Sequence, residues 1–207
     1  MVEIELKSNV LKEDVYLKLN KDRSVPLYDE DLNMIDHLNL NALDFIDEPT
    51  DVTLYDLVFF KNLKSCCIIN KEISDNELNV LNSLENIKIM QFSKCRFPSS
   101  KVKNLSVECI ILDGCPDINI STFDECKNIK KFRIVNCTNI NLKGISKFVN
   151  LTDLYIQNMN LEEIDEVMKI ESLQYLNLNG TSVENNVDFS QRIDLIVEHE
   201  KENYLYG

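Results

Sequence analysis

Three cysteines stand at matching positions in consecutive stretches of the chain, Cys95, Cys115 and Cys137, spaced 20 and 22 residues apart. Thiolates at matched positions could bind a metal ion if their sulfurs converged, with Zn–S bonds of roughly 2.3 Å and ligands in paired loops. A column of residues on neighbouring strands instead points its side chains in parallel into a core. The spacing therefore favours a buried ladder of small side chains against the backbone of the turns, and we expect no metal and no cofactor.

Cys67 and Cys109 are candidates for a nucleophile, because the repeat phasing given below turns both outward. A catalytic thiol needs a base within reach, and the chain has only two histidines, His37 and His199. The phasing places His37 one unit before Cys67, on the same face but in a neighbouring row. This offset favours chance placement on a surface, so we expect no catalytic residue and no enzymatic activity.

Two acidic stretches could suggest cation binding. The cluster at residues 162–166 lies beside apolar residues, where a solvated charged surface is the ordinary outcome. The stretch from Asp113 to Asp124 loosely resembles a calcium-binding loop. It has Cys115 at the second ligand position and Asp124 where a bidentate Glu belongs, so we predict no calcium site.

The elements that would position these residues are defined by a repeat. The pattern L-x-x-L-x-(I/L)-x-x-(M/T)-x-(L/V) starts at Leu151 and again at Leu173, 22 residues later. Such a period is the signature of a solenoid. On a strand the 4th and 6th residues of a unit point to one side and the 5th to the other, so stacked units would share one core. Looser copies extend the series to eight units, with starts at residues 14, 35, 63, 87, 107, 129, 151 and 173.

These repeats resemble the leucine-rich repeat family, in particular the internalin-like and phosphatase-regulator-like class with short repeats of 20–24 residues. The resemblance implies an α/β repeat solenoid, a horseshoe whose parallel β-sheet lines the concave face and whose short helices or turns form the convex face. At the 9th position of the unit, where the family usually has asparagine, this chain has cysteine, methionine or threonine. That departure bears on the family's asparagine ladder, not on the fold.

Caps are expected at both ends of the array. Residues 2–6 and 15–19 alternate apolar and polar side chains as strands do, which favours a cap strand followed by a degenerate first repeat, with a hairpin as the alternative. Phe189 and residues 193–197 could form a strand or helix over the last open core. The chain accordingly divides into an N-terminal cap with a degenerate repeat, a leucine-rich repeat array, and a C-terminal cap and tail, at residues 1–34, 35–185 and 186–207.

Short helices are expected on the convex side between the strands. Ser74 and Glu77 form a capping box ahead of leucines at helical spacing. Residues 161–170 predict another helical turn or two.

The composition of the chain limits which classes of partner and which cellular compartment are expected. The 207 residues carry a net charge of −13, which opposes binding to a phosphate backbone, so no nucleic acid partner is expected. No apolar run is long enough to span a membrane, and Glu3 and Glu5 replace the basic start of a secretory signal. Seven cysteines without a Cys-x-x-Cys pair favour reduced thiols, and we expect a cytoplasmic protein with no membrane partner.

The outward 3rd, 5th, 7th and 8th positions of each unit form the binding surface that the resemblance implies. Their apolar middle is flanked by two tyrosines, as at a protein interface, although strand propensity alone also places aliphatic residues outward. By this phasing the surface has a net charge of +3 from five basic residues and two acids, Lys18, Lys21, Lys94, Lys131, Arg133, Asp113 and Asp153.

We therefore predict a non-enzymatic module that binds a protein or peptide partner on the concave sheet. The alternative is a scaffold, immunity or regulatory subunit that contacts its partner through an acidic convex face or its ends. The oligomeric state is open, with a monomer favoured. The predicted contact residues are Ile69, Ile89, Gln91, Ile111, Lys131, Arg133, Val135, Asp153, Tyr155, Tyr175 and Asn177.

Overall fold

The computed structural model describes residues 2–41, 53–104, 106–161, 164–183, 189 and 195–198. Short strands alternate with helices or turns along these residues, as a repeat of about twenty residues requires. The strands are β1 (Glu3–Ile4), β2 (Leu27–Tyr28), β3 (His37–Asn41), β4 (Ser65–Ile69), β5 (Ile89–Ser93), β6 (Cys109–Asp113), β7 (Lys131–Val135), β8 (Asp153–Gln157), β9 (Asn160–Leu161), β10 (Tyr175–Asn177), β11 (Ser182–Val183) and β12 (Ile196–Glu198). The α-helices are α1 (Asn9–Leu19), α2 (Asp29–Leu32), α3 (Asp75–Asn82) and α4 (Asp165–Met168), and 3-10 helices lie at Tyr55–Phe59, Ile120–Phe123 and Ile145–Lys147.

One parallel sheet of eight strands, in the order β12-β10-β8-β7-β6-β5-β4-β3, runs through the molecule. Successive repeats pair at equal positions, so that Ile110 lies beside Phe132 and Phe132 beside Leu154. The predicted starts from residue 35 to residue 173 are confirmed, since each precedes a strand of this sheet by two residues. Of the second predicted unit, Leu43 and Phe45 lie outside the described residues.

The core lies behind this sheet and is shared between repeats. Four aromatic rings link three successive repeats, with centroids 5.3 Å apart for Phe97 and Phe123, 5.8 Å for Phe123 and Phe132, and 5.7 Å for Phe132 and Phe148. Each buried ring contributes about 1.5–3 kcal/mol. Because the contacts of Phe123 with Phe97 and with Phe132 each cross from one repeat to the next, the repeats stabilise one another.

The predicted strand at residues 15–19 is wrong, because this segment belongs to helix α1. The Ser8 hydroxyl accepts the backbone N–H of Leu11 at 3.3 Å and caps the helix, and Asn20 ends it with a φ of +49°. Val15 is buried and Leu17 is 74% exposed, as helical spacing rather than strand alternation dictates. The helix packs against β3 and covers the first open end of the core.

The remaining N-terminal residues tie the cap to the array. β1 pairs antiparallel with β2, so a strand does form within residues 2–6, but its partner is not the segment at 15–19. The buried carboxylate of Asp56 accepts the backbone N–H groups of Lys7 at 2.7 Å and Ser8 at 2.8 Å. This carboxylate thereby holds the start of the cap helix on the repeat that follows β3.

The other end of the sheet is closed by β12, which pairs parallel with β10. This confirms a capping strand in place of the alternative helix, for the part of residues 193–197 that the structure describes. Phe189, Leu195 and Val197 pack against the core from this side.

Convex helices form at both predicted places. The Ser74 hydroxyl accepts the N–H of Glu77 at 3.4 Å, and the Glu77 carboxylate accepts the N–H of Ser74 at 3.0 Å, which confirms the capping box. Residues 165–168 form α4, whereas Asn160 and Leu161 pair as β9 with β11 instead of joining a helix.

The structure also contains a ladder of asparagine amides that the repeat pattern did not predict. Asparagine stands just before the start of several units, and its side-chain N–H donates to a backbone carbonyl of the preceding repeat, at 2.8 Å for Asn62, 2.8 Å for Asn86 and 2.9 Å for Asn150. The chain therefore has an asparagine ladder, at a different position from the one usual in the family it resembles.

Candidate functional site

The outward face of the sheet carries three rows of side chains, because alternate residues of each five-residue strand point the same way. Parallel pairing in register keeps each row continuous from β3 to β8. The row at the 3rd position continues through β10 to β12. It holds His37, Ser65, Ile89, Cys109, Lys131, Asp153, Tyr175 and Ile196. The row at the 5th position holds Asn39, Cys67, Gln91, Ile111, Arg133, Tyr155, Asn177 and Glu198.

The predicted contact residues all lie on this sheet, but they differ in exposure. Ile89 is 41% exposed, and Lys131 and Arg133 are also exposed. Two expectations need correction, since Val135 is only 9% exposed and Asn177 is buried. The half-buried members are Ile69, Gln91, Ile111, Asp153, Tyr155 and Tyr175.

Val135 is covered because of its place in the sheet. It lies in register between Asp113 and Gln157, and side chains converge on a concave surface. The side-chain amide of the next residue, Asn136, donates to the Asp113 carboxylate at 3.0 Å, so these two side chains are held together next to Val135. Val135 therefore supports the face without offering contact area.

Two tyrosines and a lysine form a cluster at the C-terminal half of the face. The rings of Tyr155 and Tyr175 have centroids 5.2 Å apart, and the Lys131 ammonium lies 5.4 Å from the centroid of Tyr155. A cation over an aromatic face is attracted by the ring electrons. Ile196, which is 64% exposed, extends this cluster beside Tyr175. Ile196 was not predicted as a contact residue, because the repeat pattern does not extend beyond the strand at Tyr175–Asn177.

A chain of polar side chains crosses four strands below this cluster. Arg133 Nη2 donates to Gln157 Oε1 at 3.2 Å, and Gln157 Nε2 donates to Asn177 Oδ1 at 2.7 Å. Asn177 Nδ2 in turn donates to Glu198 Oε2 at 2.8 Å. Asn177 is buried because β12 places Glu198 directly beside it, so it belongs to the support of the face.

The predicted charge of the face is also corrected. Lys18 and Lys21 belong to the cap, where they pair with Asp14 at 3.1 Å and Asp31 at 2.5 Å. Without them the outward repeat positions hold three basic and two acidic residues, and Glu198 adds a third acid. The face is therefore close to neutral.

Charge is distributed unevenly along the chain. Residues 1–61 hold fourteen acidic and six basic side chains, a net charge of −8. Residues 160–207 hold eleven acidic and three basic side chains, again −8. Residues 62–159 hold ten acidic and thirteen basic side chains, a net charge of +3. The excess of acidic residues therefore lies in the two terminal parts of the chain. Of the two locations that the alternative prediction offered, an acidic convex face or the ends, this distribution favours the ends.

The cysteine column is a buried ladder, as predicted. Cys95 Sγ donates to the carbonyl of Ile68 at 3.3 Å, and Cys115 Sγ donates to that of Phe92 at 3.3 Å. Each acceptor is the 6th residue of the preceding repeat. Burial raises the pKa of the Cys95 thiol to about 12, which keeps it protonated. Thr181 makes the same kind of bond at the 9th position of a later repeat, where its Oγ1 donates to the Ile156 carbonyl at 2.8 Å. Cys137 Sγ instead donates to the Val135 carbonyl of its own repeat at 3.4 Å.

Cys67 and Cys109 lack the surroundings of a reactive thiol. Burial raises the pKa of both thiols, whereas a nucleophilic cysteine needs a lowered pKa. Cys67 is buried although its position faces outward. His37 lies in register with Ser65, one row away from Cys67, and its Nδ1 is 2.6 Å from the Ser65 hydroxyl oxygen.

The acidic groups weighed as cation ligands have protein partners. Asp113 accepts from Asn136, and Asp117 accepts the Asn139 amide at 2.9 Å. Glu166 pairs with Lys169, while Glu162 and Glu163 lie outside the described residues. Among the described residues no group of three or more potential ligands converges as a metal site would require, and no helix is both long and apolar enough to cross a membrane.

No family model and no curated protein matches the chain. The solved structures that are similar to it include two proteins from Listeria monocytogenes. Internalin C2 from Listeria monocytogenes is 17% identical, with 93% of each chain covered and a TM-score of 0.57. A secreted internalin-like protein from Listeria monocytogenes is 15% identical over 96% of this chain and 67% of that chain, with a TM-score of 0.50. At these identities the likeness concerns the fold alone, and together with the parallel sheet described above it shows that the chain has a leucine-rich repeat solenoid fold like that of the two internalin structures.

Proposed function

We propose that this chain is a non-enzymatic module that binds a protein or peptide partner on its concave sheet. The observation that carries the proposal is the exposure of apolar and aromatic side chains in the outward rows of the sheet. Ile89 is exposed to solvent, and Ile111, Tyr155 and Tyr175 are partly exposed. Aliphatic and tyrosine side chains surrounded by polar groups supply the contact area of protein interfaces. The polar chain from Arg133 to Glu198 links the strands that carry the two tyrosines.

The buried core behind the sheet holds the outward side chains in place, which favours partner binding on the concave face. The outward side chains stand on strands whose inward neighbours, such as Ile110 and Leu154, are fully buried. A surface held in place by its core loses little conformational entropy when a partner binds. The raised thiol pKa of Cys67 and Cys109 supports binding rather than covalent chemistry as the role of this face.

The test is capture of a partner from an extract of the native host by the immobilised full chain. Ile111→Glu and Tyr155→Ala are expected to abolish capture while the circular dichroism spectrum stays that of the folded protein. Val149→Glu and Tyr55→Ala are matched controls, since they make the same changes at exposed residues outside the concave rows. Unchanged capture by the two concave variants would place the site elsewhere.

The second candidate is a scaffold, immunity or regulatory subunit that uses its ends. The net charge of −8 at each end favours it, as do the exposed apolar side chains of Leu17 and Met34 near the N-terminal end. A complex of this kind would weaken strongly with salt and would survive the concave substitutions. It would be lost on combined charge reversal of Glu162, Glu163 and Glu166.

We also propose a monomer in the cytoplasm. All seven cysteines are unpaired, which suits a reducing compartment. Sedimentation of the purified chain tests the first part. Cell fractionation tests the second, and recovery in the extracellular medium would contradict it.

A further inference from the structure

Three cations on the outward face, Lys94, Lys131 and Arg133, form no ion pair with any described residue. The lysines at the adjoining strand starts behave differently. Lys88 and Lys130 share the Glu108 carboxylate at 2.9 Å and 2.8 Å. These three cations are therefore unpaired among the described residues, although the face as a whole is close to neutral, while the lysines at the edge beside it are paired.

Lys131 and Arg133 are held in place by neutral groups. Lys131 lies over the Tyr155 ring, and Arg133 donates to the Gln157 amide oxygen. Both side chains leave β7 on the same side, about 7 Å apart along the strand. A ring and an amide restrict their positions without cancelling their charge.

The acids on the face form hydrogen bonds with neutral donors. Asp153, beside Lys131 in register, accepts the Thr152 hydroxyl at 2.6 Å. Glu198 accepts from Asn177, and Asp113 accepts from Asn136. No acid on the face is thus an ion-pair partner of either cation on β7.

Apolar surface adjoins the cations on both sides. In register, Arg133 lies between Ile111 and Tyr155. Lys131 lies next to Cys109, and Ile89 follows in the same row. A carboxylate that binds here would sit beside surface of low polarity, where charge pairing is stronger than in water.

Resting on the function proposed above, we propose that the partner presents an acidic protein segment to this face. Its Asp or Glu carboxylates pair with Lys131 and Arg133, and its apolar side chains cover Ile89, Ile111 and Tyr155. A nucleic acid phosphate backbone is the other anionic occupant to consider. Three unpaired cations disfavour it, because a protein that binds a phosphate backbone typically makes about 6–10 phosphate contacts.

The experiment uses the full chain and a displayed library of random dodecapeptides as the probe. Peptides that bind at low salt are sequenced and compared with the unselected library. Enrichment of Asp and Glu next to Leu, Phe or Tyr is the expected result. Binding of an enriched peptide should weaken about tenfold or more in the Lys131→Glu/Arg133→Glu variant.

Lys61→Glu/Lys143→Glu is the matched control, because it makes the same charge change at exposed lysines outside the concave rows and should bind unchanged. Repeating the selection on Lys131→Glu/Arg133→Glu should enrich Lys and Arg instead. A single-stranded DNA oligonucleotide serves as the second probe, and no binding is expected.

The outcomes separate the two proposals. Peptides that lose binding in Ile111→Glu but show no acidic enrichment would overturn the acidic partner and leave the concave site standing. Peptides that bind Ile111→Glu as well as they bind the original chain would overturn both. Oligonucleotide binding that is lost in Lys131→Glu/Arg133→Glu would assign the cations to phosphate and overturn the proposal.

Discussion

Gly180 lies so close to Asn158 in the preceding repeat that a Cβ built on the glycine would be 2.2 Å from Asn158 Oδ1. Both residues have a positive φ, +69° and +56°, at the turn that follows the strand in each repeat. Asn158 Nδ2 also donates to Asn136 Oδ1 at 3.1 Å, so these turns form a ladder of their own. Gly180 is required by both its conformation and its neighbour.

Gly180→Ala is therefore expected to cost about 2–3 kcal/mol in free energy of unfolding, from backbone strain and displacement of Asn158. Gly114→Ala is the control, because Gly114 has a φ of +59° but its Cβ would meet nothing closer than 3.5 Å. It should cost about 1 kcal/mol. Urea unfolding measures both, and equal losses would show that the contact with Asn158 has no energetic consequence.

The cysteine ladder predicts a difference between two substitutions of nearly equal volume. Cys95→Thr keeps a donor for the Ile68 carbonyl, as Thr181 Oγ1 donates to the Ile156 carbonyl at 2.8 Å. Cys95→Val leaves the carbonyl without that donor and should be less stable than Cys95→Thr by about 1 kcal/mol. Thr181→Val should show a similar loss in thermal unfolding. A Cys95→Val protein as stable as Cys95→Thr would contradict this role.

Thiol reactivity should follow burial. Burial raises the pKa of the Cys95 and Cys126 thiols to about 12, so at pH 8 almost no thiolate is present at either residue. Cys109 is half-buried and should be alkylated first, although its own pKa is also raised by burial. Mass spectrometry of iodoacetamide-treated protein checks the order, with protein in urea as the control in which all thiols react. Early modification of Cys95 would contradict the inward register.

Glu108 should make stability depend on pH in the acid range. Its hydrogen bonds and ion pairs with Lys130 and Lys88 lower its pKa from 4.5 to about 2. The carboxylate therefore stabilises the fold fully above pH 4.5, and its contribution disappears as the pH falls from 4.5 towards 2.

Glu108→Gln should flatten the stability profile over that interval and leave the slope above it unchanged. The effect should be small and should shrink in high salt, because the site is at the surface. Unfolding curves between pH 2 and pH 7 at two salt concentrations measure it. A profile identical to that of the original chain would exclude the ion pairs as a source of stability.

Because the Asp56 carboxylate links the N-terminal cap to the array, we expect the two to unfold together. Asp56→Ala leaves the N–H groups of Lys7 and Ser8 without their buried acceptor and should cost about 2–4 kcal/mol. Asp56→Asn keeps one acceptor oxygen and should cost less. Asp36→Ala is the control, since that exposed carboxylate pairs only with Lys64 at 3.3 Å and should change stability by about 0.5 kcal/mol or less. A negligible change in the free energy of unfolding of Asp56→Ala would show that this contact does not make the cap and the array unfold together.

The repeat period could be predicted from Leu151 and Leu173 because one periodic requirement, filling a shared core, recurs in every unit. The same requirement placed Ile89, Ile111, Lys131 and Tyr155 outward, since strand alternation follows from the inward register. For residues 15–19, strand alternation gave the wrong prediction, because this segment is helical. Its apolar residues suit a strand or a helix, and the packing of α1 on β3 decides between the two.

By itself, the sequence determined the solenoid, its register and the set of side chains that face outward, because these depend on spacing alone. Only the tertiary structure decided how those side chains meet. It buried Val135 and Asn177, added Ile196 and Glu198 through β12, moved Lys18 and Lys21 into the cap, and left Lys131 and Arg133 free of ion pairs. The reason is that exposure and charge pairing depend on residues about twenty positions away or more, which the fold brings into contact and the local pattern does not encode.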